Sequence, residues 1–118
     1  MNKQDFLCIQ QISEYCKRMA ETMRRFSESF DTFITDTVFY NSISMSLMQL
    51  GEQAVGLSQD FKTSTSEQIP WSQISSIRDK IEHEFISVDK NVIWNMATKE
   101  TPNIKKFCDT IIANETAD

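Results

Sequence analysis

The 118-residue sequence predicts an all-α protein, an up-down bundle of five to six helices, and three observations carry that prediction. Glycine and proline number two each, too few for the many tight turns of a sandwich or barrel. Apolar residues recur at alternating spacings of three and four, the period of helices with one buried face. No strand signal interrupts them. Hydrophobic residues are 40% of the chain and charged residues 25%, a composition that buries a core rather than stays disordered. The length fits a single domain over residues 1–118.

Phe6, Ile9, Ile12, Cys16, Met19, Met23, Phe26 and Phe30 form the first stripe, with Asn2 placed to cap its start. Asp31, Thr35 and Asp36 are turn and cap formers, so a bend and a short helix are expected over Ser27–Thr37. A second long helix carries Tyr40, Ile43, Leu47, Leu50, Ala54, Leu57 and Phe61 on one stripe. Gly51 falls inside it, where glycine costs up to about 1 kcal/mol relative to alanine and usually signals close approach of another backbone. The polar stretch Lys62–Gln68 reads as a loop. Pro70 suits the first turn of a helix whose apolar face is Trp71, Ile74, Ile77, Ile81 and Phe85. Asp89 should cap a short helix holding Val92, Ile93 and Met96. Thr101-Pro102 reads as a cap followed by a first-turn proline, opening a last helix with Ile104, Phe107, Cys108, Ile111 and Ile112. The polar end from Asn114 is expected to fray.

Charge and motif content narrow the function. Twelve basic against seventeen acidic residues leave a net charge of −5, which gives no general attraction for nucleic acid or anionic lipid. Any RNA contact must then be local or built by an oligomer, and DNA is not an expected partner. Cys8, Cys16 and Cys108 form no CxxC and cannot pair fully within one chain; they read as buried small hydrophobes in a reducing compartment. No apolar run approaches a membrane span, and the start MNKQDF lacks the apolar stretch of a signal peptide. A cytoplasmic protein is expected. The sequence has no phosphate-binding glycine loop and no nucleophile elbow, and one histidine with scattered cysteines supplies too few soft ligands for zinc. No metal and no cofactor are expected.

One constellation is left, Arg78-Asp79-Lys80-Ile81-Glu82-His83-Glu84-Phe85. Arg78 and His83 stand roughly 140° apart around a helix and about 7.5 Å apart along it. On spacing alone, Arg78 pairs with Glu82 one turn on, and His83 is a solvated surface residue. Phe85 follows Ile81 by one turn and reads as a core anchor.

The segments IPWSQISSIRDKIEHEF and VDKNVIWNMATKETPNIKKF resemble the HepT-like proteins of the HEPN superfamily. Their signature is arginine, four to six residues, histidine, any residue, tyrosine. Arg78 and His83 match it, with Asp79 as the polar residue after the arginine. The helix around Gly51-Glu52-Gln53-Ala54 is similar to the family's Gly-Glu-Ala-like centre. The resemblance implies a symmetric homodimer in which two Arg78–His83 motifs meet in a cleft bordered by Asp79 and Phe85. It also implies metal-independent endoribonuclease activity, as a toxin paired with a small nucleotidyltransferase antitoxin, with RNA as substrate. A catalytically weak or inactive partner of that nucleotidyltransferase is the alternative. At the family's tyrosine, where the partner attaches adenylate, this chain has Phe85, which lacks a nucleophilic oxygen.

Overall fold

The computed structural model describes residues 1–116. Seven α-helices follow in order: α1 (Lys3–Arg25), α2 (Phe30–Thr35), α3 (Thr37–Val55), α4 (Gln59–Thr65), α5 (Trp71–Glu84), α6 (Lys90–Asn95) and α7 (Thr101–Thr116). A five-residue π-turn, Met96–Glu100, joins α6 to α7 without a break, so these two make one bent rod and the rods number six. Among the described residues there is no strand. The bundle is built on α1, which packs against α3 and α7, while α5 packs on α3.

The expected stripes are the ones that bury. Ile9, Ile12, Cys16, Met19 and Met23 of α1 meet Ile43, Leu47, Leu50 and Ala54 of α3, Ile74, Ile77 and Ile81 of α5, and Ile104 and Cys108 of α7. Helix starts follow local chemistry. Asn2 Oδ1 accepts the Asp5 N–H at 2.6 Å, Ser29 caps α2, and Asp36 Oδ1 accepts from Val38 and Phe39 at 2.9 and 3.1 Å. The bend after α1 places Ser27 and Glu28 at positive φ, 58° and 54°, and the Glu28 N–H donates to Met23 O at 2.8 Å. Short α2 is then fixed by its aromatic residues: Phe33 sits 5.2 Å from Phe39, 5.3 Å from Tyr40 and 5.1 Å from Trp94, ring centre to ring centre.

Three local expectations are corrected. The stripe from Tyr40 to Phe61 is not one helix: α3 ends at Val55, and Ser58 starts α4 by accepting the Phe61 N–H. Buried Asp5 holds that break, its two carboxylate oxygens accepting from the Ser58 N–H and hydroxyl, each at 2.7 Å. Lys62–Thr65, expected as loop, continues α4, where Ser64 and Thr65 hydroxyls donate back to Phe61 O. Thr101 is no cap. Its hydroxyl donates to Ala97 O and its N–H to Met96 O, five residues back, in the wider π-turn. That wider turn lies directly before Pro102, whose ring has no N–H and crowds the preceding turn. The short helix expected after Asp89 is present as α6, with Ile93 buried and Val92 exposed. At the far end α7 runs past Asn114 through Thr116, and the rest of the end expected to fray, Ala117 and Asp118, lies outside the described residues.

Candidate functional site

Helix α5 divides its residues by the helical period. Trp71, Ile74, Ile77 and Ile81 are buried, while Asp79, Lys80, Glu82 and His83 face solvent and Arg78 lies between. The α3–α5 crossing sets where Arg78 emerges. A Cβ on Gly51 would stand 2.5 Å from Arg78 Cβ and 3.5 Å from Ile74 O. The expected close approach is therefore real, and the root of the Arg78 side chain fills the space that glycine leaves.

The guanidinium is ringed by carboxylates. Its Nε donates to Glu52 Oε1 at 2.8 Å and its Nη2 lies 2.7 Å from that same oxygen. Nη1 donates to Asp79 Oδ1 at 2.6 Å, and Nη2 stands 3.5 Å from Glu82 Oε2. The Arg78 side chain keeps 22% of its surface exposed. Its proton is held more firmly than usual, first by the Glu52 hydrogen bond, against partial burial, then by Asp79 and Glu82. The pairing with Glu82 expected from spacing is present, as one of three.

His83 is 71% exposed, its Nε2 3.8 Å from Glu82 Oε2. Glu82 thus lies beside both motif residues, which do not contact each other directly through a hydrogen bond. Phe85 departs from the core-anchor expectation. Helix α5 ends at Glu84, whose carbonyl accepts the Ser87 and Val88 N–H groups at 2.9 and 3.0 Å. The apolar face stops there, and Phe85 is 40% exposed with its ring 5.4 Å from Tyr40. Lys90 also stands against Tyr40, its Nζ 4.7 Å from the ring centre and donating to Ile34 O at 3.0 Å. A separate cavity of about 830 Å³ lies between α1 and α7, lined in part by Cys16, Met23, Ala97 and Pro102, away from Arg78 and His83.

Glu52 joins the site although no motif position assigns it a role there. The available signal was an acidic residue directly after the mid-helix glycine at which another helix must cross.

This surface can present a guanidinium and an imidazole to a phosphodiester from one helix. The profile of the Ribonuclease HepT-like family matches residues 8–111, which include all of α5 and its carboxylate partners. The chain belongs to the HepT-like ribonuclease family. Over 107 residues it is 30% identical to the "Putative RNase TTE0752" of Caldanaerobacter subterraneus subsp. tengcongensis, covering 91% of this chain and 93% of that one. The "Probable ribonuclease HepT" of Thermococcus cleftensis is 28% identical over 97 residues, 78% of this chain and 87% of that one. A Methanocaldococcus jannaschii protein, "Putative RNase MJ0127", is 30% identical over 84 residues, 71% and 69% of the two chains. No solved structure matches. This HepT-like chain has no helix, among its described residues, long and apolar enough to cross a membrane.

Proposed function

We propose that this HepT-like chain is a metal-independent endoribonuclease, the toxin of a cytoplasmic pair whose antitoxin is a small nucleotidyltransferase. In this reading residues 1–118 act as one domain, and two copies form a symmetric dimer that joins their Arg78 and His83 residues in one cleft. The observation that carries it is the placement of both motif residues on the outer side of α5, within a family match covering residues 8–111.

The chemistry follows from the residue types. One His83 imidazole takes the proton of a ribose 2′-OH, whose oxygen attacks the adjacent phosphorus. The 5′-oxygen leaves and receives a proton from the partner's His83, giving a 2′,3′-cyclic phosphate and a free 5′-OH. Arg78 hydrogen-bonds the extra charge of the phosphorane through its planar fork. In an in-line displacement the attacking 2′-oxygen and the leaving 5′-oxygen stand on opposite sides of the phosphorus, out of reach of a single His83, so in this reading the dimer supplies the second. His83 is mostly exposed in a single protomer, open to a second copy.

The test is RNA cleavage by the purified chain in EDTA, with cyclic phosphate ends identified by mass. Arg78→Ala and His83→Ala should each lower the rate by about 10²–10³, as loss of one transition-state donor does, while light scattering still reports a dimer. Full activity in His83→Ala, or a monomer at micromolar concentration, would overturn the reading.

A second reading, a catalytically weak partner of the nucleotidyltransferase, is favoured by the three carboxylates that already occupy Arg78 and by Phe85 at the tyrosine position. It predicts a stable complex with that partner but no cleavage and no growth arrest when the chain is expressed alone.

A further inference from the structure

We propose that Glu52 is the positioning residue for Arg78, setting which edge of the guanidinium is free to meet a phosphate. The inference rests on the ribonuclease reading for what Arg78 does, and on geometry for how it is held. Two N–H groups on one edge of the fork, Nε and Nη2, converge on the single oxygen Glu52 Oε1 at 2.8 and 2.7 Å. That edge is spent on the protein.

The other edge, Nη1 and Nη2, points at Asp79 and Glu82. These two differ from Glu52 in where they come from. Both belong to α5, so they move with Arg78's own backbone and cannot fix its guanidinium against the rest of the bundle. Glu52 stands on α3, across the crossing where the Arg78 Cβ fills the space beside Gly51. A side chain rooted in that crossing and tied at its tip to the same helix has little freedom left. All three carboxylates are partly exposed, Glu52 at 41%, Glu82 at 42% and Asp79 at 58% of side-chain surface, so it is the anchoring on a second helix and the two short contacts to one oxygen that set Glu52 apart. A phosphoryl oxygen can displace Asp79 and Glu82 from the outer edge while Glu52 keeps the fork aimed, since a bidentate fork is selective for direction.

Glu52→Ala should lower kcat for RNA cleavage by about 10²-fold, the loss that a misplacement of about 1 Å produces. Its KM should change far less, and its melting temperature should stay near that of the wild type, because exposed ion pairs add little stability. Glu52→Gln keeps an acceptor oxygen for Nε and Nη2, so it should recover most of the rate. In ¹⁵N NMR, the Arg78 Nε–H signal, assigned by its loss in Arg78→Lys, should be slow to exchange in the wild type and in Glu52→Gln and averaged in Glu52→Ala. An unchanged kcat in Glu52→Ala, or a fall that tracks a lowered melting temperature and is not recovered by glutamine, overturns the proposal. If the wild-type chain cleaves no RNA, the ribonuclease reading falls, and the Nε–H signal alone decides whether Glu52 orients Arg78: an unchanged signal in Glu52→Ala overturns that.

Discussion

Phe85 is where one atom separates two modes of control. Its ring is partly exposed beside Tyr40, at a position where the resemblance puts the hydroxyl that accepts adenylate. Phe85→Tyr should place that hydroxyl on the surface and create a modifiable site. Incubation with the nucleotidyltransferase proposed as its partner and ATP, read by mass spectrometry, should add adenylate to the variant and leave the wild type unmodified. An adenylate on the wild type at Tyr15 or Tyr40 would show that the acceptor moved. Elsewhere, single residues are silenced by burial. The Cys16 thiol is pushed up to about 12 from 9.0, first by burial, with Lys105 opposing and Asp109 reinforcing. Cys108 moves in the same direction, also by burial. The folded chain therefore keeps protons that the unfolded chain releases near pH 9.0. This stability is fully present below that pH and is lost as pH rises toward the folded values. Denaturant midpoints should fall between about pH 8 and about pH 10.5, and less steeply in Cys16→Ala.

Helices in this chain were legible wherever burial follows a local period, as in α1, α3 and α5. What escaped the sequence were decisions made by distant partners. The stripe from Tyr40 to Phe61 runs in phase through residues 56–58, yet Asp5, 53 positions away, captures Ser58 and starts a new helix. Glu52 escaped for the same reason, since its partner lies 26 positions on. Thr101-Pro102 carries a local start signal, but a hydroxyl bond to Ala97 and a widened turn carry the rod through it. Gly51 is the element-scale feature that the sequence did flag, and its substitution has a definite sign. Alanine gains up to about 1 kcal/mol of helix propensity, while overpacking costs about 1–3 kcal/mol. The atom in the way is Arg78 Cβ, which is fixed to the α5 backbone and cannot swing aside. Overpacking wins. Gly51→Ala should destabilise the fold by up to about 2 kcal/mol, measured by urea titration, and should lower cleavage as α3 and α5 part.

At the scale of the whole molecule, the acidic balance and the motif pull in opposite directions. A net charge of −5 repels RNA at long range, so the proposed cleavage depends on what the α5 surfaces of the proposed dimer would offer together. Exposed apolar residues near the end of α5, Phe85 and fully exposed Ile86, are the kind of surface that a second copy would cover. The motif residues were readable because α5 exposes them. Their mutual geometry was not, because Arg78 is aimed by another helix and His83 by nothing within one protomer beyond Glu82.

The carboxylates around Arg78 have a consequence for ionic strength. One guanidinium among Glu52, Asp79 and Glu82 leaves a local charge of 1 − 3 = −2. A protein that neutralises phosphates releases counterions, and its affinity for single strands falls with a logarithmic salt slope of about −0.7 per phosphate contacted. Two Arg78 residues in a dimer give a slope no steeper than about −1.4. Added salt also screens the repulsion between an acidic surface and an incoming strand beyond about 10 Å. The measured kcat/KM on a short single-stranded RNA should therefore fall by no more than about sevenfold between about 50 and 200 mM salt, where a basic nucleic-acid binder loses about 10³-fold or more. A steep decline would place the main phosphate contacts on lysines and arginines away from α5.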